Sequence, residues 1–337
     1  MRLLVLGGTE FVGRAVVEAA LGRGWEVTVL HRGRHPAPPG ARPLRGDRTG
    51  PDGLAALADG GGWDAVVDTW AGAPRAVRDA ARLLRGRAGR YVYVSSRSVY
   101  AWAPPAGHTE DAPLVEGASA DAERLDYARD KRGGELAAVD AFGADRSVLV
   151  RAGLILGPYE NVGRLPWWLG RMARGGPVLA PGPRDLPLQY VDVRDLADWV
   201  LGAVTRGLSG PYTLVSPRGH ATTGTLLDAC ARVTGGAAEL RWTAPEVITG
   251  AGIEPWTGLP VWVPPGGEMH DALHGADVSR ALAAGLVCRP VADTVADTWD
   301  WLLSLDGVTP LRPDRPAVGL DPETEARVLG IAGAPEV

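Results

Sequence analysis

The chain opens with RLLVLGGTEFVGRAVVEAALGRGWEVTVL over residues 2–30: an apolar run, a glycine turn, a helical stretch and a second apolar run. That order constrains the fold more than any other feature, because two parallel strands need a crossover between them and here a helix supplies it. The pattern continues in WDAVVDTW, RYVYVSS and RSVLVRAG. Each run is short, rich in β-branched residues and apolar on both alternations, as strands covered on both faces are. In the first intervening segment, GRAVVEAALGRG, Val16, Ala19 and Ala20 share one helical face, and the closing glycines suit a helix end. Repeated β-α-β units predict an α/β fold, a Rossmann-type, doubly wound parallel sheet, with a smaller C-terminal substrate-binding lobe.

The dinucleotide-binding part is expected over 1–157, with the sheet revisited around 186–215, where QYVDVRDLADWVLGAV reads as a strand followed by a helix. Segments 158–185 and 216–305 mix glycine, proline and tryptophan and are assigned to the second lobe. VADTVADTWDWLLSL is a further amphipathic helix. Residues 306–337 form a tail with one short helix, DPETEARVLG, which carries an Asp cap, Pro at the first helical position and Gly330 as its stop.

With 337 residues, 22% charged and a net charge of −5, the chain gives no global reason to expect a nucleic-acid or anionic-membrane partner. MRLLVLGG lacks the pattern of a signal peptide, and no run approaches the roughly 18 apolar residues of a membrane span. Cys230 and Cys288 lack ligand-like spacing and read as reduced thiols, and the six histidines suggest no metal site. A cytoplasmic protein is expected.

The turn GGTEFVG places Gly7 and Gly13 where the first and last glycines of a phosphate loop stand, at the start of a helix whose N–H groups face an anion. Its middle position is Glu10, a carboxylate that repels phosphate unless it points away. An acid at the end of the second strand binds a ribose 2′-OH, whereas arginine accommodates a 2′-phosphate. VTVLHRGRH has no acid there and brings His31, Arg32 and Arg34, so NADP(H) is expected over NAD(H), which stays the alternative. Asp47 in RGDRT is a candidate acceptor for the adenine amino group.

DYARDKRGGE contains the only lysine of the chain, Lys131, four residues after Tyr127. On a helix both side chains share a face. An ammonium beside a phenol favours its ionised form and supplies donors for ribose hydroxyls, which suits an acid/base tyrosine at neutral pH. With seven tyrosines in 337 residues, a lysine placed at random follows one by four about 2% of the time. The run YVYVSSRSVY ends a strand with serines 95, 96 and 98, whose hydroxyls are placed to donate to a carbonyl oxygen as charge develops on it.

Together, GGTEFVG, GDRT, DTWAG, SSRSVY, DYARDKRGGE, VRAGLILGP and QYVDVRDLA resemble the extended and atypical short-chain dehydrogenase/reductases, the group called NAD-dependent epimerase/dehydratase, over about residues 1 to 305. The resemblance implies Ser96, Tyr127 and Lys131 as the catalytic set, with Tyr127 as acid/base and Lys131 orienting the nicotinamide ribose. It implies cofactor contacts from Gly7, Thr9, Glu10, Phe11, Val12 and Gly13 in the loop, from Thr69, Trp70 and Ala71, and from Arg151, Gly153 and Leu154. A non-glycine at position 10 is similar to the atypical branch. Homodimers through a helix pair are common in this group. Sugar-nucleotide members carry an arginine before the YxxVxDLA segment. Leu188 stands near that place here, which argues against a UDP- or dTDP-sugar substrate.

Trp102, Tyr159, Trp167 and Trp168 are candidate substrate-pocket residues. Trp167, Trp168, Trp256 and Trp262 either wall an apolar pocket or simply pack a core. The leading expectation is an NADP(H)-dependent reductase or dehydrogenase acting on a carbonyl or imine of a small, fairly apolar metabolite. The alternatives are an epimerase or dehydratase with tightly bound NAD(P), a non-catalytic dinucleotide-sensing or RNA-binding member of the fold, and a member that has lost redox use.

Overall fold

The computed structural model describes residues 1–50, 53–58, 61–122 and 126–330. The chain divides into two units, each built from three stretches. Met1–Gly153, Val193–Val215 and Asp277–Val287 form the first; Leu154–Asp192, Ser216–Ala276 and the chain from Cys288 onward form the second. The stretch Asp277–Val287, which the sequence reading kept with the second lobe, thus falls in the first unit, where the Asp277 N–H donates to His108 O at 2.9 Å.

In the first unit the apolar runs become strands β1 (Arg2–Leu6), β2 (Glu26–His31), β3 (Arg42–Arg45), β4 (Trp63–Asp68), β5 (Ala88–Ser96) and β6 (Ser147–Ala152). Their order across the sheet is β3-β2-β1-β4-β5-β6, with the strand Gly210–Leu214 added beside β6, and every pairing is parallel. Leu3 to Leu6 are at most 1% exposed, as residues covered on both faces must be. The strand entering the sheet late is PYTL, not QYVDV. Val191–Asp192 is only two residues long before a helix (Val193–Thr205) begins, and it pairs with Ile155–Leu156 in the second unit.

Helix α1 (Phe11–Gly22) packs against the 193–205 helix, and the two are tied at their surface by Arg23 and Asp198, 2.9 Å apart. α2 (Ala55–Ala58) is a single turn. α3 (Arg75–Leu84) and α4 (Tyr127–Phe142) pack on each other and share a core with the sheet, through Val77, Ala80, Ala81, Leu84, Tyr91, Tyr93, Ala138 and Phe142. Chain order reverses at β1, with β2 on one side and β4 on the other. Crevices at such switch points, beyond the carboxyl ends of the strands, are where open sheets of this type bind ligands.

The second unit has its own core around Trp168 and Trp262, each 1% exposed, whose indole N–H groups donate to Pro260 O (2.8 Å) and Gly182 O (3.2 Å). A parallel pair, Gly176–Pro181 with Ala238–Thr243, runs beside that core. The helix Pro322–Leu329 begins as its sequence predicts: Asp321 Oδ1 accepts the Thr324 N–H at 2.8 Å, and Gly330 ends it with φ of +66°. Buried Glu325 anchors it, accepting from Arg171 Nε (2.7 Å) and the Leu179 N–H (3.0 Å). The part of the expected tail beyond residue 330 lies outside the described residues.

Candidate functional site

The site begins where β1 turns into α1. A Cβ on Gly13 would stand 1.9 Å from Gly7 O, so only glycine lets the helix start this close to the strand end. The Thr69 hydroxyl, just beyond β4, donates to Leu6 O (3.1 Å) and Gly7 O (3.2 Å) and fixes the turn from the other side. Glu10 is the N-cap of α1 but makes no side-chain cap, and its carboxylate lies 3.5 Å from His35 Nε2. Thr9, Phe11 and Val12 are partly exposed around the turn. A tight glycine turn at a helix N-terminus is the kind of backbone that could take an anion.

At the end of β2, Arg32 and Arg34 are exposed, and neither ring nitrogen of half-buried His31 has a hydrogen bond among the described residues. Arg45 ends β3 level with His31, and its guanidinium lies against Gly33. Asp47 follows, accepting from Thr49 N–H (3.1 Å) and Thr49 Oγ1 (2.7 Å). These bonds hold its carboxyl below the usual range, helped by the positive charges of Arg32 and Arg34. Three guanidinium groups therefore gather where two strands end. Sequence reasoning missed Arg45, whose relevance rests on β3 lying beside β2.

Tyr127 opens α4 behind an Asp126 cap, whose Oδ1 accepts the Arg129 N–H at 2.9 Å. One turn on, Lys131 is 3% exposed, and its ammonium donates to Trp70 O (2.5 Å) and Val94 O (2.6 Å) above the Tyr93 ring. Tyr93 donates to the same Trp70 carbonyl at 3.1 Å. Its phenol is pushed well above its ordinary range by burial and then by the negative charge of Asp68. Gly134 closes the helix onto this cluster: a Cβ there would lie 2.5 Å from Tyr93 Oη.

Ser96 ends β5, two residues past the Val94 carbonyl that holds Lys131. Its Oγ accepts the Ser98 N–H (3.1 Å) and caps the short turn Arg97–Val99. Ser98 itself is exposed, and Ser95 is buried. The structure thus brings Ser96, Lys131, Thr69 and Trp70 to neighbouring strand ends, with Ala71 in the bend that follows.

Of the other candidates, Arg151 and Gly153 stand at the end of β6, where Arg151 pairs with Ser95 and Ala152 with Ser96. Arg151 is 2% exposed inside the first unit, bidentate to Glu135 (3.0 and 3.1 Å) and donating to Glu110 O (3.0 Å), which is the geometry of an internal brace. Gly153 packs against the Arg97 side chain. Leu154 opens the second unit and is buried. Trp102 is 67% exposed. Tyr159 meets Trp301 edge to face at 5.9 Å, and Trp167 meets Trp168 at 4.7 Å, both within the second unit. Trp168 and Trp262 are core residues there, so core packing describes both. The second unit also carries an open cleft of about 390 Å³ lined by Glu254, Thr257, Asp321 and Arg327, among others. Arg97, beside Ser96, went unnoticed in the sequence; burial pushes its guanidinium down to about 10, against the pull of Tyr100.

A family model described as the NAD dependent epimerase/dehydratase family matches residues 3–85 and 71–214. A curated relative, the 2′-dehydrokanamycin reductase of Streptomyces kanamyceticus, is 34% identical over 189 residues, 53% of this chain and 51% of its own length. The chain spans about half the length of the curated relative it matches. Among solved structures, the Bordetella bronchiseptica enzyme WbmH in complex with NAD+ superposes with a TM-score of 0.67 at 20% identity, covering 91% of this chain and 99% of that one. WbmG of the same organism, in complex with NAD and UDP, gives 0.67 at 19% identity, covering 94% and 99%. At such identities these two establish the Rossmann-like fold alone. With the family model spanning the whole sheet from β1 to the strand Gly210–Leu214, the chain belongs to the NAD-dependent epimerase/dehydratase family.

Proposed function

We propose that the protein is an NADP(H)-dependent reductase acting on the carbonyl of a small metabolite. The observation that carries this reading is the placement of Lys131: one helical turn from Tyr127, held by two carbonyls, with Ser96 closing the adjacent strand. The nicotinamide, when bound, supplies the hydride. Gly7, Gly13 and the first turn of α1 hold its pyrophosphate, and Asp47 faces its adenine. Arg32, Arg34 and Arg45 favour a 2′-phosphate, since planar guanidinium groups suit that anion and β2 ends without an acid. Ser96 and Tyr127 hold the substrate oxygen, Tyr127 delivers the proton, and the Lys131 ammonium keeps positive charge beside the phenol.

The apolar character expected of the substrate loses two supports, because Trp168 and Trp262 fill a core. What remains is the carbonyl, or imine, itself. A reductase of a dehydro compound among the relatives favours net reduction over internal epimerisation. The test is Tyr127→Phe. It is expected to bind NADPH as the parent does while losing turnover of a panel of ketones; unimpaired turnover rejects the reading. Nucleotide that co-purifies with the protein, together with no consumption of added NADPH, supports the epimerase alternative. Homodimerisation is proposed on the resemblance alone and is checked by mass in solution.

A further inference from the structure

Arg48 and Asp68 were not singled out by the sequence, yet they form an enclosed charge pair near the site. The side chains are 7% and 0% exposed, and the guanidinium meets the carboxylate through two bonds of 2.6 and 2.7 Å. Asp68 also accepts from Tyr91 Oη (2.5 Å) and from the Trp70 N–H (2.9 Å). Burial by itself would raise the Asp68 carboxyl, but the charge and hydrogen bonds of Arg48, Tyr91 and Trp70 outweigh it and hold it below the usual range. Arg48 extends the network to Ala76 O (2.7 Å) and lies 5.3 Å from the Trp70 ring centre. The Trp70 indole is pinned separately, on Ala73 O at 2.9 Å.

Trp70 is therefore gripped at its N–H by Asp68, while its carbonyl, in the next peptide unit across the Cα, receives Lys131. We propose that Arg48 and Asp68 are positioning residues: they fix the Trp70 carbonyl and through it set where the Lys131 ammonium stands. An ammonium has no intrinsic directionality and a flexible four-carbon stem. Its position is set by its acceptors, and of the two named here only Val94 O belongs to a sheet strand. Trp70 O lies just after β4, where it also accepts from Tyr93 Oη at 3.1 Å, and Asp68 holds the N–H of the same residue. A buried carboxylate with four good donors is a rigid anchor, since releasing any one of them leaves a costly unsatisfied group. The same pair also ties down the loop that carries Asp47, so two parts of the dinucleotide site share one support.

This inference rests on Lys131 holding the nicotinamide ribose, and the experiment separates the two ideas. NADPH and, in parallel, NADH are titrated by fluorescence, well below the melting temperature, against Asp68→Asn, Lys131→Met and the double variant. Asn keeps the shape and an acceptor for the Trp70 N–H. Each single change is expected to weaken binding of the preferred nucleotide about tenfold, and the double variant should bind no worse than Lys131→Met alone. A purely structural role for Asp68 gives losses that multiply in the double variant, and that result overturns the proposal. Tyr91→Phe, which removes one hydroxyl from Asp68, is expected to show the same non-additivity at about threefold and decides the matter should Asp68→Asn not fold. If Lys131→Met binds both nucleotides like the parent, the ribose reading itself fails and takes the proposal with it.

Discussion

Replacing Gly13 by alanine is expected to disable dinucleotide binding while leaving most of the fold in place. The added Cβ would stand 1.9 Å from Gly7 O, whereas real Cβ atoms essentially never come within 3.0 Å of such an atom, so the start of α1 must retreat by about 1.1 Å. The obstacle is backbone, and no side-chain rotation relieves it. A hydrogen bond of about 2.9 Å from an N–H at the start of α1 to a pyrophosphate oxygen becomes about 4.0 Å, beyond any useful length. Losing one bond to a charged acceptor is worth about 1.5–3 kcal/mol, or roughly 10- to 150-fold in Kd. Gly22→Ala supplies the internal control, because a Cβ at the other end of the same helix has nothing within 4 Å. That change is expected to stabilise by about 0.4–1 kcal/mol, through a less free unfolded chain, with binding unchanged. NADPH fluorescence titration and thermal melting of both variants provide the readouts. If Gly13→Ala binds the nucleotide with the parent's affinity, the close approach of helix to strand is not what makes the pyrophosphate site.

Three further outcomes follow from the geometry. Arg45→Gln combined with Arg32→Gln should cut the preference for NADPH over NADH by about tenfold or more, most clearly at low salt, and a ratio of Kd values that does not move would remove the 2′-phosphate reading. Asp68, whose folded carboxyl is held low, contributes stability that is complete above its unfolded value near 3.9 and is lost as pH falls through the folded value. Urea midpoints of the parent measured downward from pH 6 should therefore drop steeply below about pH 4, and Asp68→Asn should flatten that limb. Glu325→Gln leaves Arg171 as a buried cation and is expected to cost roughly 3 kcal/mol, seen as a lower melting temperature. A melting curve identical to the parent's would mean that this pair does not anchor the 322–329 helix.

Much of the first unit was legible because its chemistry is local. Runs such as RLLVL and YVYVSS can only be strands covered on both faces, and GGTEFVG announces the turn between strand and helix. Tyr127 and Lys131 are four apart, so a single helix places both. Residues assembled from separate strands were harder to see. Arg45 becomes relevant only once β3 is known to lie beside β2. Arg48 and Asp68 are twenty residues apart, and nothing in either neighbourhood announces a buried pair. The pairing of Arg151 with Glu135, on α4, was equally out of sight, because the two are sixteen residues apart and meet only in the fold. The tryptophans were ambiguous for a physical reason, since a ring that fills a core and a ring that walls a pocket have the same composition around them.

The last strand of the sheet arrives late in the chain. Six strands are complete by Ala152, yet the strand that covers the β6 edge ends at Leu214, after a long excursion through the second unit. At ordinary synthesis rates of about 5–20 residues per second, the ribosome needs roughly 3–12 seconds to deliver the missing strand. Throughout that interval SVLVRA, apolar and wholly buried in the finished protein, presents an unpaired edge to every neighbouring nascent chain. The same connectivity means that a gene cut after residue 153 would encode a sheet that still lacks its seventh strand.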